Sequence, residues 1–194
     1  VRVDIPASVM GYPLAKRKYT ALEIFAERSW DDRWSLQASY TWARNIGNTE
    51  GYVRSDNGQG DAGMTTLFDQ PGLLEGPYGN LPNDRHHQFK LFGAWQFAAD
   101  WKASALTHIA SGRPKNCFGN HSTDEFAGAY CAEAFYCDLS DDGTYNPVLY
   151  PRGSLGNTPW TFRLDLGLEC RPQWAGKRLR VRADVNNVFN SGRV

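Results

Sequence analysis

The 194-residue sequence lacks every cheap indicator of location or chemistry. No run approaches the roughly 18 consecutive apolar residues of a membrane-spanning helix, which excludes such a helix. Net charge is missing too: 21 basic residues balance 21 acidic ones, and this removes the electrostatic case for a nucleic-acid or anionic-lipid binder. None of the four cysteines forms a C-x-x-C pair, so the pattern of a zinc site is absent. The first residue is Val1 rather than Met and no basic-then-apolar leader follows, as expected of a processed chain or a fragment. Helical periodicity is also absent. A mean hydropathy of −0.54 suits a soluble domain, but a transmembrane β-barrel alternates apolar and polar residues and averages out as hydrophilic as well.

What is present has a period of two. Trp34, Leu36, Ala38, Tyr40 and Trp42 alternate with Arg33, Ser35, Gln37, Ser39 and Thr41, a strand with one wholly apolar face. Thr20, Leu22, Ile24 and Ala26 alternate with Tyr19, Ala21, Glu23, Phe25 and Glu27, and only Ser29 to Asp32 separate the two runs, so they predict a hairpin over about 19–43. A second hairpin, about 87–110, runs through Phe89, Leu91, Gly93, Trp95 and Phe97, turns at Ala98 to Asp100, and returns through Trp101, Ala103, Ala105, Thr107 and Ile109. A third, about 160–190, runs from Trp160 to Leu168, turns over Arg171 to Gly176, and returns through Leu179, Val181, Ala183 and Val185.

Six strands and no helix predict an all-β, antiparallel, up-and-down transmembrane barrel segment that six strands leave incomplete. The turns within hairpins are short, while the links at about 47–85 and 112–159 far exceed the usual loop of roughly 4 to 6 residues. Tight turns at one end and long loops at the other are the signature of outer-membrane barrels, periplasmic and external respectively. Aromatic residues form two bands. Trp34, Phe97 and Trp101 lie beside the short turns, whereas Tyr40, Trp42, Phe89, Trp160 and Phe162 lie at the long-loop ends. On the polar face of the third hairpin, a register that sums to 347 would pair Arg163 with Asp184, Asp165 with Arg182 and Glu169 with Arg178 as lumen ion pairs.

The segments Tyr40-Thr41-Trp42 to Gly47-Asn48, Asn83-Asp84-Arg85-His86-His87-Gln88-Phe89-Lys90, Ser111-Gly112-Arg113-Pro114 and Asp184-Val185-Asn186-Asn187-Val188-Phe189-Asn190 resemble the C-terminal barrel portion of TonB-dependent outer-membrane receptors. Within them the likeness is to the Oar-like group, which carries a carboxypeptidase-regulatory-like domain. The resemblance implies a barrel of about 22 strands filled by an N-terminal plug, with uptake of a scarce ligand energised through TonB. On this reading the chain is part of a single barrel domain without the plug. Its partners are outer-membrane lipid, the rest of the barrel, the plug, the TonB complex and a small ligand such as a sugar or a peptide, with no nucleic acid. The rival readings are a secreted or surface-located soluble all-β binding module and a passive porin segment.

No residue constellation points to catalysis, a cofactor or a metal. Gly58, Gly60 and Gly63 match G-x-G-x-x-G without the strand-to-helix context that a phosphate cradle needs. Asp56, Asn57 and Asp61 miss the EF-hand order, and Asp138, Asp141 and Asp142 read as a solvated acidic loop. His86 and His87, adjacent on a strand, point to opposite faces. His108 has no nucleophile elbow near Ser104 or Ser111. In an oxidising exterior the loop cysteines suit a disulfide: Cys131 to Cys137 closes the smallest ring, and Cys117 with either is the other pairing. Ligand contact is expected from the long loops, through Tyr52, Asp56, Asn57, Asp61, Tyr78, Asn80, Tyr130 and Tyr136, which offer amides, carboxylates and stacking rings.

Overall fold

A computed structural model describes residues 11–63, 65–130, 133–140, 142–176 and 178–192. The strands are β1 Arg17–Arg28, β2 Trp34–Gly47, β3 Gly79–Asn80, β4 His87–Gln96, β5 Trp101–Ala110, β6 Tyr136–Cys137, β7 Val148–Leu149, β8 Thr161–Cys170 and β9 Val181–Val185. One four-residue helix, α1, covers Glu125–Gly128. The six long strands lie in the order β1-β2-β4-β5-β8-β9, each beside its predecessor, and β3 adds to β2. The sheet is antiparallel and does not close on itself. β6 and β7 form a separate ribbon. Ten residues at about 3.4 Å each, tilted about 45°, rise about 24 Å, close to the apolar height of an outer-membrane barrel.

The chain divides into two compact units. The sheet unit comprises 21–43, 85–112 and 159–194, and the loop unit 1–20, 44–84 and 113–158. In the sheet unit, register makes the two faces explicit. One face carries the rows Tyr40–Phe89–Ile109–Phe162, Ala38–Leu91–Thr107–Leu164, Leu36–Gly93–Ala105–Leu166–Val185 and Trp34–Trp95–Ala103–Leu168–Ala183. Aromatic rings sit at both ends and aliphatic residues between them, the order that two interfaces and a hydrocarbon layer demand. The other face carries Gln37–Phe92–Leu106–Asp165 and Ser39–Lys90–His108–Arg163.

The short turns are built from their own polar atoms. Asp31 accepts hydrogen bonds from the backbone N–H of Arg33 and Trp34 and pairs with Arg28, and these donors hold its carboxyl down at about 2. Between β8 and β9 the chain makes a 3-10 turn, Gln173–Ala175, closed by Gly176 at φ 59°, a conformation that glycine adopts without strain.

That turn corrects the expected charge register. β8 and β9 pair with residue numbers summing to 351, so Glu169 lies opposite Arg182 and Gly167 opposite Asp184. Arg163 and Asp184 are not partners, nor are Asp165 and Arg182. Each carboxylate instead takes the arginine two residues away on its own strand, Arg163 with Asp165 (2.9 Å) and Arg182 with Asp184 (2.8 Å). Glu169 is held by Arg171 (2.7 Å) and Arg180 (2.6 Å) rather than Arg178. The four-residue slip is even, so no side chain changes face.

Buried apolar residues concentrate away from the sheet. Leu67, Leu73, Leu81, Ala127, Ala134, Phe135 and Cys137 lie in the loop unit, against Ala43 and Ala110 in the sheet unit. Leu22, Ile24, Trp95, Leu166 and Leu168 on the sheet are exposed. A lone sheet open to water on both faces has no core of its own, whereas lipid solvates such a face without one.

Candidate functional site

The long connections are folded rather than merely exposed. Arg54 and Arg152, with side chains 2% and 1% exposed, share Asp56, whose side chain is 3% exposed. Arg152 Nη1 stands 2.5 Å from one Asp56 oxygen and Arg54 Nε 3.3 Å from the other. Arg54 also donates to the Glu133 carboxylate (2.5 Å) and carbonyl (2.8 Å), and Arg152 to the Pro77 carbonyl (2.7 Å). Both guanidinium groups lie against rings, Arg54 over Phe118 at 4.6 Å and Arg152 over Phe135 at 4.9 Å. Burial pulls the Arg152 guanidinium below its ordinary value and Asp56 pulls it back. Asn116 ties in a further strand of loop, donating to Asp56 and accepting from the Gly153 backbone N–H. Gly79 lets the chain approach closely, since a Cβ there would collide with the Arg152 carbonyl.

The disulfide joins Cys117 to Cys137 across a separation of 20 residues, a closure worth about 3 kcal/mol in chain entropy. This is the other of the two expected pairings, Cys117 with Cys137, and it replaces the smallest-ring pairing of Cys131 with Cys137; Cys131 itself lies outside the described residues. The physical reason is local. Gly119 and Ala134 form a bridge, exchanging backbone hydrogen bonds, and this brings the segments around 117 and 137 side by side. Next to the disulfide, the Tyr136 hydroxyl donates to Glu75 (2.5 Å), which raises its pKa to about 12, and His121 Nε2 lies 3.3 Å from the same carboxylate. His121 Nδ1 accepts from the backbone N–H of Thr123 and Asp124 at the start of α1.

The expected ligand contacts thus divide. Asp56 is corrected from ligand group to structural anion, because both its oxygens are held by buried arginines. Asn57 donates to Glu133, Asn80 sits in β3 opposite Ile46, and Tyr130 and Tyr136 pack on Leu73, Ala127 and Ala134. Tyr52 (79% exposed), Tyr78 and Asp61 remain on the surface. Asp138 and Asp142 accept hydrogen bonds from Ser140, Thr144 and the Asn146 backbone within their own turns, which holds both carboxyls below the ordinary range; Asp141 lies outside the described residues. Sequence reasoning missed Arg54, Glu133, Arg152, Phe118 and Phe135. The available signal was the number of Leu and Phe residues in segments that a solvated loop does not need.

Within the sheet unit, the polar face holds a depression of 520 Å³ lined by Phe25, Gln37, Lys90, Phe92, Leu106 and His108 among others. Aromatic-banded strands of bilayer length, apolar on one face and charged on the other, define a transmembrane β-barrel wall.

A family model for outer membrane beta barrel domains matches residues 9–192, and the chain belongs to that family. It is a protein of the cell outer membrane, so the soluble-module reading falls away. The chain is also similar to the TonB-dependent transporter Oar of Myxococcus xanthus, 33% identical over 185 residues, which is 92% of this chain and 16% of that protein. It thus spans about a sixth of the length of this curated relative. No solved structure gives a significant match.

Proposed function

We propose that the chain is a section of the barrel wall of a TonB-dependent transporter that takes up a scarce ligand through a plugged barrel. The observation that carries this is the similarity to the Oar transporter along nearly the whole chain. In this reading the apolar face meets lipid and the charged face lines the lumen against the plug. The long connections lie outside the cell, where Tyr52, Tyr78 and Asp61 are the side chains free to touch a ligand. The Arg54, Asp56 and Arg152 cluster holds those connections in shape. Sugars and small peptides suit this mixture of rings, amides and carboxylates. The wall's role is passage and selection rather than catalysis.

The test compares spent medium from wild-type cells, cells lacking this protein and cells lacking TonB, all grown on a mixture of oligosaccharides and peptides. At least one compound is expected to be consumed by the wild type and left by both mutants. Consumption that needs this protein but not TonB would contradict the proposal and favour a passive porin. Orientation is checked separately by placing Cys at Tyr52 and labelling intact cells with a membrane-impermeant maleimide, which should react.

A further inference from the structure

The loop unit holds a polar cavity of 390 Å³ beside its charge cluster, lined by Arg54, Asn57, Gln59, Thr65, Asp69 and Glu133 among others. That volume falls within the roughly 300–1,000 Å³ of small-molecule sites. No lining side chain among the described residues is apolar, so an apolar occupant has nothing to pack against.

The walls are fixed by the protein's own hydrogen bonds. Arg54 and Gln59 exchange backbone bonds (3.1 and 3.0 Å), which closes a short loop over the 3-10 turn Ser55–Asn57. The Glu133 carboxylate ties three segments together, accepting from Arg54 (2.5 Å), from the Asn57 amide (2.8 and 3.0 Å) and from the Thr66 hydroxyl (3.1 Å). Buried Leu67 anchors the segment 65–69, where the Asp69 N–H donates to the Thr66 carbonyl (3.0 Å).

Three lining side chains keep hydrogen-bonding capacity that the described residues do not use. Gln59 Oε1 accepts from the Asp61 N–H (2.7 Å), which leaves the two side-chain N–H groups to donate. Thr65 Oγ1 accepts from the Leu67 N–H (3.4 Å) and keeps its own proton to donate. The carboxylate of exposed Asp69 has no partner among the described residues and offers two acceptor oxygens. Charge narrows the choice further. Arg54, the cation among the described lining residues, is already shared by Asp56 and Glu133, and Asp69 tips the balance negative. A phosphate or a peptide's terminal carboxylate is therefore repelled. An ammonium group or a metal ion would satisfy Asp69 but leave the Gln59 and Thr65 donors without acceptors, which is costly in a cavity. Neighbouring hydroxyls on a ring both donate and accept, and so meet all three.

We propose that this cavity is a recognition site for a neutral carbohydrate. Two adjacent pyranose hydroxyls donate to the Asp69 carboxylate, and their neighbours accept from Gln59 and Thr65. Tyr52 adjoins the site: its carbonyl accepts from the N–H of Gly63 (2.7 Å), which also lines the cavity, and its ring, on a residue 79% exposed, is free to cover a C–H face of the sugar. The proposal rests on the transporter reading and narrows its ligand from sugars and peptides to neutral sugars.

The test applies the complete protein, purified from the outer membrane in mild detergent, to an array of neutral oligosaccharides, the matching uronic-acid and amino-sugar oligosaccharides, and short peptides. Neutral oligosaccharides should be bound in preference to the rest. Asp69→Ala should weaken that binding about tenfold or more and Gln59→Ala about three- to tenfold, whereas Glu125→Ala, exposed on α1 of the same unit, should leave it unchanged. Limited proteolysis reports whether the loops stay folded, and Asp69→Asn, equal in size and expected to fall between wild type and Asp69→Ala, keeps the test valid if the alanine disturbs them. No binding to neutral oligosaccharides, preference for an acidic, amino or peptide probe, or equal binding by wild type, Asp69→Ala and Gln59→Ala would overturn the carbohydrate site. Neutral-sugar binding that Asp69→Ala abolishes, together with uptake that does not need TonB, would support the site and contradict the transporter reading.

Discussion

Asp56 shows how a loop residue with the chemistry of a ligand contact can serve another purpose. A carboxylate with two arginines, all nearly inaccessible, is a structural charge cluster. Removing the shared anion leaves Arg152 buried without its ion-pair partner and with only the more distant Glu50 as counter-charge, and breaking a buried pair costs about 3–5 kcal/mol. Asp56→Ala should therefore open the loop unit, seen as new protease cleavage and faster hydrogen exchange within 44–84 and 113–158, while the sheet stays protected. Asp56→Asn should fall between. Two other residues give the loops and turns a pH dependence. Asp31, lowered from 3.8 to about 2, stabilises its turn fully above the unfolded value, and this is lost as pH falls from about 4 toward 2. Tyr136, raised from 10.0 to about 12, works in the opposite sense. Its contribution is complete below pH 10 and fades as pH climbs to about 12. A phenolate absorbance titration should show one tyrosine ionising late, and Glu75→Gln should bring it closer to the ordinary value.

Among the elements, the strands were legible and their register was not. Alternation in Trp34 to Trp42 or Phe89 to Phe97 reads directly as two faces, because strand side chains reverse at every residue. Pairing charges across β8 and β9 is ambiguous, since arginines and carboxylates recur at even spacing and any even slip finds another match. The deciding feature was the 3-10 turn ending at Gly176, which has no apolar period to announce it. The loop fold was hidden for the same reason: Leu67, Leu73, Leu81 and Phe135 form a core from residues with no regular spacing. The register itself is open to a direct check. In a Cys170→Ser background, Glu169→Cys with Arg182→Cys should oxidise readily to a disulfide, being directly opposed, with the Cα atoms about 4.5–5.5 Å apart. Glu169→Cys with Arg178→Cys should not.

For the whole molecule, the two-faced sheet is what a bilayer requires and water does not reward. Expressed without the rest of a barrel, these six strands expose apolar residues and open edges, and aggregation is the expected outcome. The central claim is that successive residues of one strand alternate between lipid and lumen. Nitroxide side chains placed singly at 89 to 94 on β4 and 162 to 167 on β8, in the complete protein in bilayers, measure it directly by their relative accessibility to oxygen and to a water-soluble nickel complex. Positions 89, 91, 93, 162, 164 and 166 should favour oxygen, and their neighbours 90, 92, 94, 163, 165 and 167 the nickel complex or neither. Accessibility without a period of two, or with the two sets exchanged, would contradict a lipid-facing wall built on this register.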